Sequence, residues 1–339
     1  MYVKRLKLYG VRGFRLDLPL DGEGELPQAT RRRMLLQGGN GSGKTTVIET
    51  VAGLWEWFGK MIDKSTTSFS FASSSRWSAE LNAMELGDFP TQGASFWIAI
   101  GTLNGIDGLK KAHPDTPMAC LQRSGKDHHI DLPFGDWQTN KVRSQEGVEP
   151  LPNVVYFPPD GRSVLHAPRG PVKRLDLYQP NWLAWFDAEF DLDSLLFTVH
   201  AKHPERYDEA VGLFNRLLSP AGKRVASQEG RQGRLHIERI EEPRPPAHPW
   251  IELSSGERQM LQLVAYTVCL LREDSILLID EPDLHIHIGM VKQLLDTLHS
   301  VAEKRRSQLI VAGHSQQLWD WFGLKAEKIS LAPWRSRKP

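Results

Sequence analysis

The stretch Gln37 to Thr46, reading QGGNGSGKTT, constrains this chain more than any other. Gly38, Gly43, Lys44 and Thr45 fit G-x-x-x-x-G-K-[ST], in which small residues let backbone N–H groups curl round phosphates while a lysine and a hydroxyl reach the β/γ-phosphates and Mg²⁺. Asn40, Gly41 and Thr46 belong to the same expected cradle. Its flanks agree. Arg33 to Leu36 is a short apolar run suited to a buried strand, and Thr45 to Trp57 carries apolar residues at helical spacing. A strand feeding a loop that opens a helix aims the helix N-terminus at an anion, which a glycine-rich surface turn does not require.

With 339 residues, 40% of them hydrophobic, the chain can bury a sizeable core in one large domain or two small ones. Lysine and arginine number 42 against 41 acidic residues, so no global positive field draws the protein to nucleic acid or an anionic membrane, and only a local basic patch is left open. Cys120 and Cys269 lie far apart with no C-x-x-C spacing, which argues against a zinc site or a disulfide framework and suits a reducing cytosol. MYVKRLKLYG at the start has no apolar leader pattern, and Met260 to Leu271 is too short and too polar to span a bilayer. A cytoplasmic protein without membrane insertion is expected.

Taken in order, Tyr2 to Leu8 and Phe14 to Leu18 read as a hairpin, and Ser65 to Ser78 as a serine-rich loop or part of an inserted lobe. Ala94 to Leu103, Met118 to Gln122 and His129 to Leu132 predict an antiparallel sheet beside the main one. Asn153 to Phe157 is a strand closed by Pro158 to Gly161, and Trp182 to Phe197 and Pro204 to Leu218 are expected to be helical. The polar and then proline-rich stretch from Ser219 to His248 reads as a connection with one strand at Arg234 to Ile240. Beyond it lie a helix from Ser254 to Leu271, a buried strand at Ser275 to Ile279, an amphipathic helix through Val291 to Val301, and a buried strand at Gln308 to Ala312.

A phosphate loop alone says only nucleoside triphosphate. The strand ending in Asp280 adds a carboxylate placed to hold Mg²⁺ together with Thr45. Glu281 is then a candidate general base, and His314, after the next strand, a candidate γ-phosphate sensor. Ser254 and Glu257 form a capping box by pattern, which alone would satisfy the sequence.

Leu253 to Gln259, LSSGERQ, also resembles the signature motif of ABC-type ATPases, and phosphate loop, signature, DE strand and switch histidine occur in the order of that class. Within it the chain is similar to the RecF, SMC and OLD group, including stand-alone bacterial defence ATPases such as the ATPase subunits of PARIS, Septu and retron systems. The opening Leu6 to Phe14 is similar to that group's N-terminal hairpin, with Arg12 at the nucleotide-touching position. Ser255 and Glu257 replace the Gly and Gln usual in transporters, and Glu281 to His287 is similar to the group's E-P-[ED]-L-H-L-H run. The resemblance implies an α/β P-loop fold, an ABC-ATPase head with a mixed central sheet, an N-terminal antiparallel β-subdomain and a small helical lobe, all as one domain over 1–339. Its parts are residues 1–60 for hairpin and phosphate loop, 61–160 for an inserted antiparallel lobe, 170–218 for the helical lobe and 250–339 for signature, metal strand and switch histidine. It further implies ATP and Mg²⁺ as cofactors and a head-to-tail homodimer, or an oligomer built from dimers, in which Ser254 and Gly256 of one copy meet the nucleotide on the other.

Two features depart from the group. The place of the Q-loop glutamine after Phe157 holds Pro158 to Arg162, leaving Asp160 or Arg162 to stand in, and no SMC-type coiled coil is present. Other readings compete residue by residue. His285, His287 and His314 could bind a metal, although the first two have a place in a dimer-facing loop, and Trp182, Trp185, Trp319 and Trp321 could stack on bases but more simply pack. The functional expectation is an ATP hydrolase that gates a separate effector such as a nuclease in anti-phage defence, since no nuclease motif is visible. The alternative is a RecF-like DNA-binding repair or maintenance protein, with Arg31 to Arg33, Lys304 to Arg306 and Arg335 to Lys338 as phosphate contacts. A membrane-importer motor fits the hairpin and the histidine run poorly.

Overall fold

A computed structural model describes residues 1–11, 14–20, 32–62, 79–87, 95–124, 127–131, 152–159, 183–185, 191–226, 234–240, 247–324 and 327–331. The chain opens with β1 (Tyr2–Val11) and β2 (Phe14–Pro19), an antiparallel pair, and enters a second sheet through β3 (Arg33–Gln37). After α1 (Lys44–Ile62) it returns to the first sheet with β4 (Leu81–Gly87) and β5 (Phe96–Thr102). Helix α2 (Leu103–Ala112), capped by the Thr102 hydroxyl, leads to β6 (Met118–Ser124), and β7 (Asp127–Asp131) closes this half. The first sheet has the order β2-β1-β4-β5-β6-β7 and is antiparallel except between β5 and β6. The strands expected of an inserted lobe thus extend the N-terminal hairpin into one sheet.

The rest builds the nucleotide-bearing half. β8 (Val154–Phe157) and β9 (Leu183–Trp185) are followed by α3 (Leu192–Lys202) and α4 (Pro204–Leu218). A small ribbon of β10 (Lys223–Val225), β11 (His236–Arg239) and β12 (His248–Pro249) precedes α5 (Ser255–Leu270). Then come β13 (Ile276–Asp280), α6 (Ile288–Lys304), β14 (Gln308–Gly313), α7 (Gln316–Trp321) and β15 (Lys328–Ser330). This sheet runs β15-β3-β14-β13-β8-β9, with every pair parallel. The mixed strand directions of this α/β fold therefore lie in the first sheet.

Strand periodicity explains the apolar runs. Ile276 and Leu278 face a core shared with α1 and the first sheet, where Val47, Val51, Trp55 and Phe58 meet Leu6 and Leu8, whereas Leu277 and Ile279 face the core made with α3 to α6. Covered on both faces, such strands carry no polar alternation. At about 25 cal/mol per Å² of apolar surface removed from water, these two cores are the main stabilising term. Cys120 and Cys269 are buried in different cores, and burial pushes the pKa of the Cys269 thiol up to about 12, an inert packing group.

One helix expectation needs correction. Leu183 to Trp185 are extended and pair in parallel with Val154 to Tyr156, and the helix starts only at Leu192. Open backbone groups on the β8 edge outweigh local helical spacing, and Asp191 sets the helix start by accepting from the Asp193 N–H at 3.1 Å. The serine-rich stretch Ser65 to Ser78 lies outside the described residues.

The Gln308 amide ties the two sheets. Gln308 Oε1 accepts from the Val3 N–H at 2.8 Å, and its Nε2 donates to the carbonyls of Val3 and Leu20 at 3.4 Å each. All three residues are fully buried. Replacing Gln308 with Leu strands the Val3 N–H, and we expect a loss of about 1–3 kcal/mol in unfolding free energy by urea denaturation, against little change for an exposed glutamine such as Gln316.

Candidate functional site

The phosphate loop forms because β3 must turn sharply into α1. Gly41 and Gly43 take φ of +76° and +94°, a region that costs a side chain strain and glycine almost nothing, and Ser42 N–H closes the turn on Gly39 O at 3.1 Å. A Cβ on Gly38 would lie 2.6 Å from the Leu331 carbonyl oxygen, while one on Gly39 or Gly41 would meet nothing within 4 Å. The loop is thus packed at its base and open at its rim. Asn40 and Gly41 are exposed there. Lys44 is only 6% exposed, its ammonium donating to Gly38 O at 2.8 Å and Gly39 O at 3.3 Å, and Thr46 is buried in the first helical turn. A buried ammonium inside a ring of backbone amides at a helix N-terminus fits a polyphosphate.

The register of the parallel sheet brings the remaining groups to this edge. Gln37 pairs with Gly313 and Ala312 with Asp280, so β3, β14 and β13 end level with one another. Asp280, 1% exposed, accepts from the Thr45 hydroxyl at 2.5 Å. A hydroxyl and a carboxylate oxygen side by side beneath the phosphate loop are the hard donor set that Mg²⁺ takes. Glu281 leaves the sheet in the left-handed region, φ +52°, held by its N–H on Ala312 O at 2.7 Å. That conformation costs a non-glycine residue about 1–2 kcal/mol, and here it turns the carboxylate away from the strand line. His314 follows Gly313, where a Cβ would come within 2.1 Å of Leu318, and its Nδ1 lies 3.3 Å from Glu281 Oε1. Base and sensor expected from separate strands are thus in contact.

The signature segment is built differently. Ser254 caps α5 in a complete capping box, its N–H donating to Glu257 Oε2 at 3.0 Å and its hydroxyl to the same oxygen at 2.7 Å. Lys223 from β10 donates to Glu257 Oε1 at 2.7 Å. Burial works to raise the Glu257 pKa, but the bonds from Lys223 and Ser254 outweigh it and hold the carboxyl below the usual glutamate range. Gly256 sits against the loop after Glu281, where a Cβ would be 2.9 Å from the His285 carbonyl oxygen. That loop is two successive turns, Leu284 N–H on Glu281 O and Ile286 N–H on Asp283 O, with His285 at φ +63°. The start of α5 therefore packs close to the loop that follows β13. Sequence reading missed Lys223, which lies in the segment taken for a connection.

Several candidates find other places. His287 Nδ1 accepts from the Gly289 N–H at 3.2 Å as the cap of α6, and among the described residues no three His, Cys, Asp or Glu side chains cluster as a metal site. Trp321 donates to Asp296 at 2.8 Å and meets His299 edge-on, and Trp319 lies under Lys328, both packed on the core. The run Lys304 to Arg306 is ion-paired within the chain. Lys304 and the buried Arg305 pair with Glu209 at 2.8 and 3.1 Å, and Arg306 pairs with Asp274 at 2.8 Å. Arg12, Asp160, Arg162 and Trp182 lie outside the described residues.

The sequence family described as "AAA domain, putative AbiEii toxin, Type IV TA system" matches residues 171–320. No curated protein matches the chain in sequence. Among solved structures it is similar to an SMC head bound to the C-winged-helix domain of ScpA, with TM-score 0.53, 15% identity and coverage of 95% of this chain and 92% of that one. It is also similar to the Smc head of Pyrococcus furiosus bound to the C-terminal domain of ScpA (TM-score 0.48, 13% identity, 94% and 91% covered). The SMC head domain from Thermotoga maritima gives TM-score 0.46 at 13% identity, with 97% and 94% covered. No helix among the described residues is long and apolar enough to cross a membrane. The chain has the α/β fold of an SMC head.

Proposed function

We propose that this protein binds ATP and Mg²⁺ in the cradle, closes head to tail on a second copy around the nucleotide, and by hydrolysis releases that pair, gating a separate effector protein in anti-phage defence. The observation that carries the reading is the split of the site. Lys44, Thr45, Asp280, Glu281 and His314 meet at one sheet edge, whereas the exposed Ser254 spends its hydroxyl and amide on Glu257 of its own helix. A second copy supplies what one copy lacks. Ser254 and the N-terminus of α5 offer a hydroxyl, N–H donors and a positive dipole end to a partner's γ-phosphate.

Within the site, Lys44 and the loop amides hold the phosphates, and Thr45 and Asp280 hold the metal, which supplies charge neutralisation at the β- and γ-phosphates. Glu281 takes the proton of the attacking water, and His314, in contact with it, orients the carboxylate and senses the γ-phosphate. Effector gating draws support from the toxin–antitoxin description of the matching family and from the SMC head whose structure holds a separate winged-helix protein. The second reading, an ATP-dependent DNA-binding maintenance protein, loses one basic run to internal ion pairs.

Glu281→Gln is expected to lower ATP hydrolysis at least about tenfold while leaving nucleotide binding in place, because it removes the base and keeps the shape. An unchanged rate overturns the assignment. Tagged Glu281→Gln recovered from its native host in ATP and Mg²⁺ should bring a stoichiometric effector protein, whereas DNA alone, lost on nuclease treatment, would favour the second reading.

A further inference from the structure

The Lys223–Glu257 pair has no part in the chemistry above, yet it touches the one group that must change partners. Lys223 follows the left-handed Gly222 (φ +66°) at the start of β10, and the strand is fixed by the Val225 N–H on Asn215 Oδ1 of α4 at 2.7 Å and by its pairing with β11. The lysine is thereby held over the start of α5, its Nζ 2.7 Å from Glu257 Oε1, with the two side chains 26% and 7% exposed. The other oxygen of Glu257 takes both donors of Ser254. In this arrangement the Ser254 proton is committed to Glu257.

A partner's γ-phosphate arriving at Ser254 makes two demands. The hydroxyl must rotate from Glu257 to the phosphate, and a buried carboxylate must tolerate an anion beside it after giving up that hydrogen bond. Buried charges are tolerated only when paired. We propose that Lys223 is a positioning residue of the composite site: by keeping Glu257 Oε1 bonded and its charge cancelled, it allows Ser254 to turn to the partner's γ-phosphate. This rests on the head-to-tail reading above. It adds that β10 is tied to the start of the signature helix through this ion pair, so a change at Ser254 is felt there.

The test uses the full chain in the Glu281→Gln background, measuring self-association by sedimentation in ATP and Mg²⁺. Lys223→Met should weaken it at least about tenfold, or about 1.4 kcal/mol, with affinity of each copy for a fluorescent ATP analogue unchanged. Lys223→Arg should restore it. Glu257→Gln alone, which keeps an acceptor for the Ser254 N–H and removes the charge, should associate at least as tightly as the background, and Lys223→Met with Glu257→Gln should do the same. A structural role alone predicts that Glu257→Gln weakens association, because it breaks the same ion pair. Background-like association of Lys223→Met, or failure of the double variant to recover, overturns the role of Lys223 and leaves the pairing intact. If the background itself does not associate in ATP, the head-to-tail reading falls and this inference with it.

Discussion

The bond between Thr45 and Asp280 is the contact on which the site depends. It joins the first turn of α1 to the end of β13 across 2.5 Å, and so fixes the phosphate loop relative to the Asp280 carboxylate. Thr45 is placed by a loop whose two left-handed glycines leave no freedom in where α1 begins, and Asp280 by a parallel register that ends three strands at one level. Glu281 and His314 are consequences of the same edge, since each is the residue next beyond its strand end.

The fold serves this edge by burying the sheet on both faces. With α1 and the first sheet on one side and α3 to α6 on the other, the strands cannot slip by one residue without exchanging their two apolar faces between differently shaped cores. Gln308 adds a polar lock at the opposite end, where β14 meets β1. Rigidity at the sheet lets the unfavourable backbone of Glu281 persist, because its N–H is held by Ala312. The start of the signature helix lies against the loop after Glu281, where a side chain at Gly256 would meet the His285 carbonyl oxygen.

Much of the site was legible because its chemistry needs particular residues at particular spacings. Gly38 to Thr46, Asp280, Glu281 and His314 were each readable from a strand ending in a turn, and the structure brings them to one place. What was not legible depends on contacts distant in sequence. Lys223 meets Glu257 only after the chain has passed through β11 and β12, and nothing local marks it apart from other surface lysines. Leu183 to Trp185 became a strand because the β8 edge was there to be paired. The basic run Lys304 to Arg306 reads in sequence as a solvated surface or as phosphate contacts, and the ion pairs with Glu209 and Asp274 appear only in the fold. Charge runs and aromatic residues take their meaning from partners, and motifs from their own backbone.

The central claim is that the nucleotide lies between the cradle of one copy and the signature of another. Both faces are accessible, since Asn40 at the loop rim and Ser255 at the start of α5 are exposed, while the native Cys120 and Cys269 are buried and will not react. The most direct measurement is thiol cross-linking of Asn40→Cys with Ser255→Cys, carried on separate chains in the Glu281→Gln background. The account predicts a covalent dimer that forms in ATP and Mg²⁺ and fades in ADP. Equal cross-linking without nucleotide, or none with it while ATP is bound, would contradict the head-to-tail site.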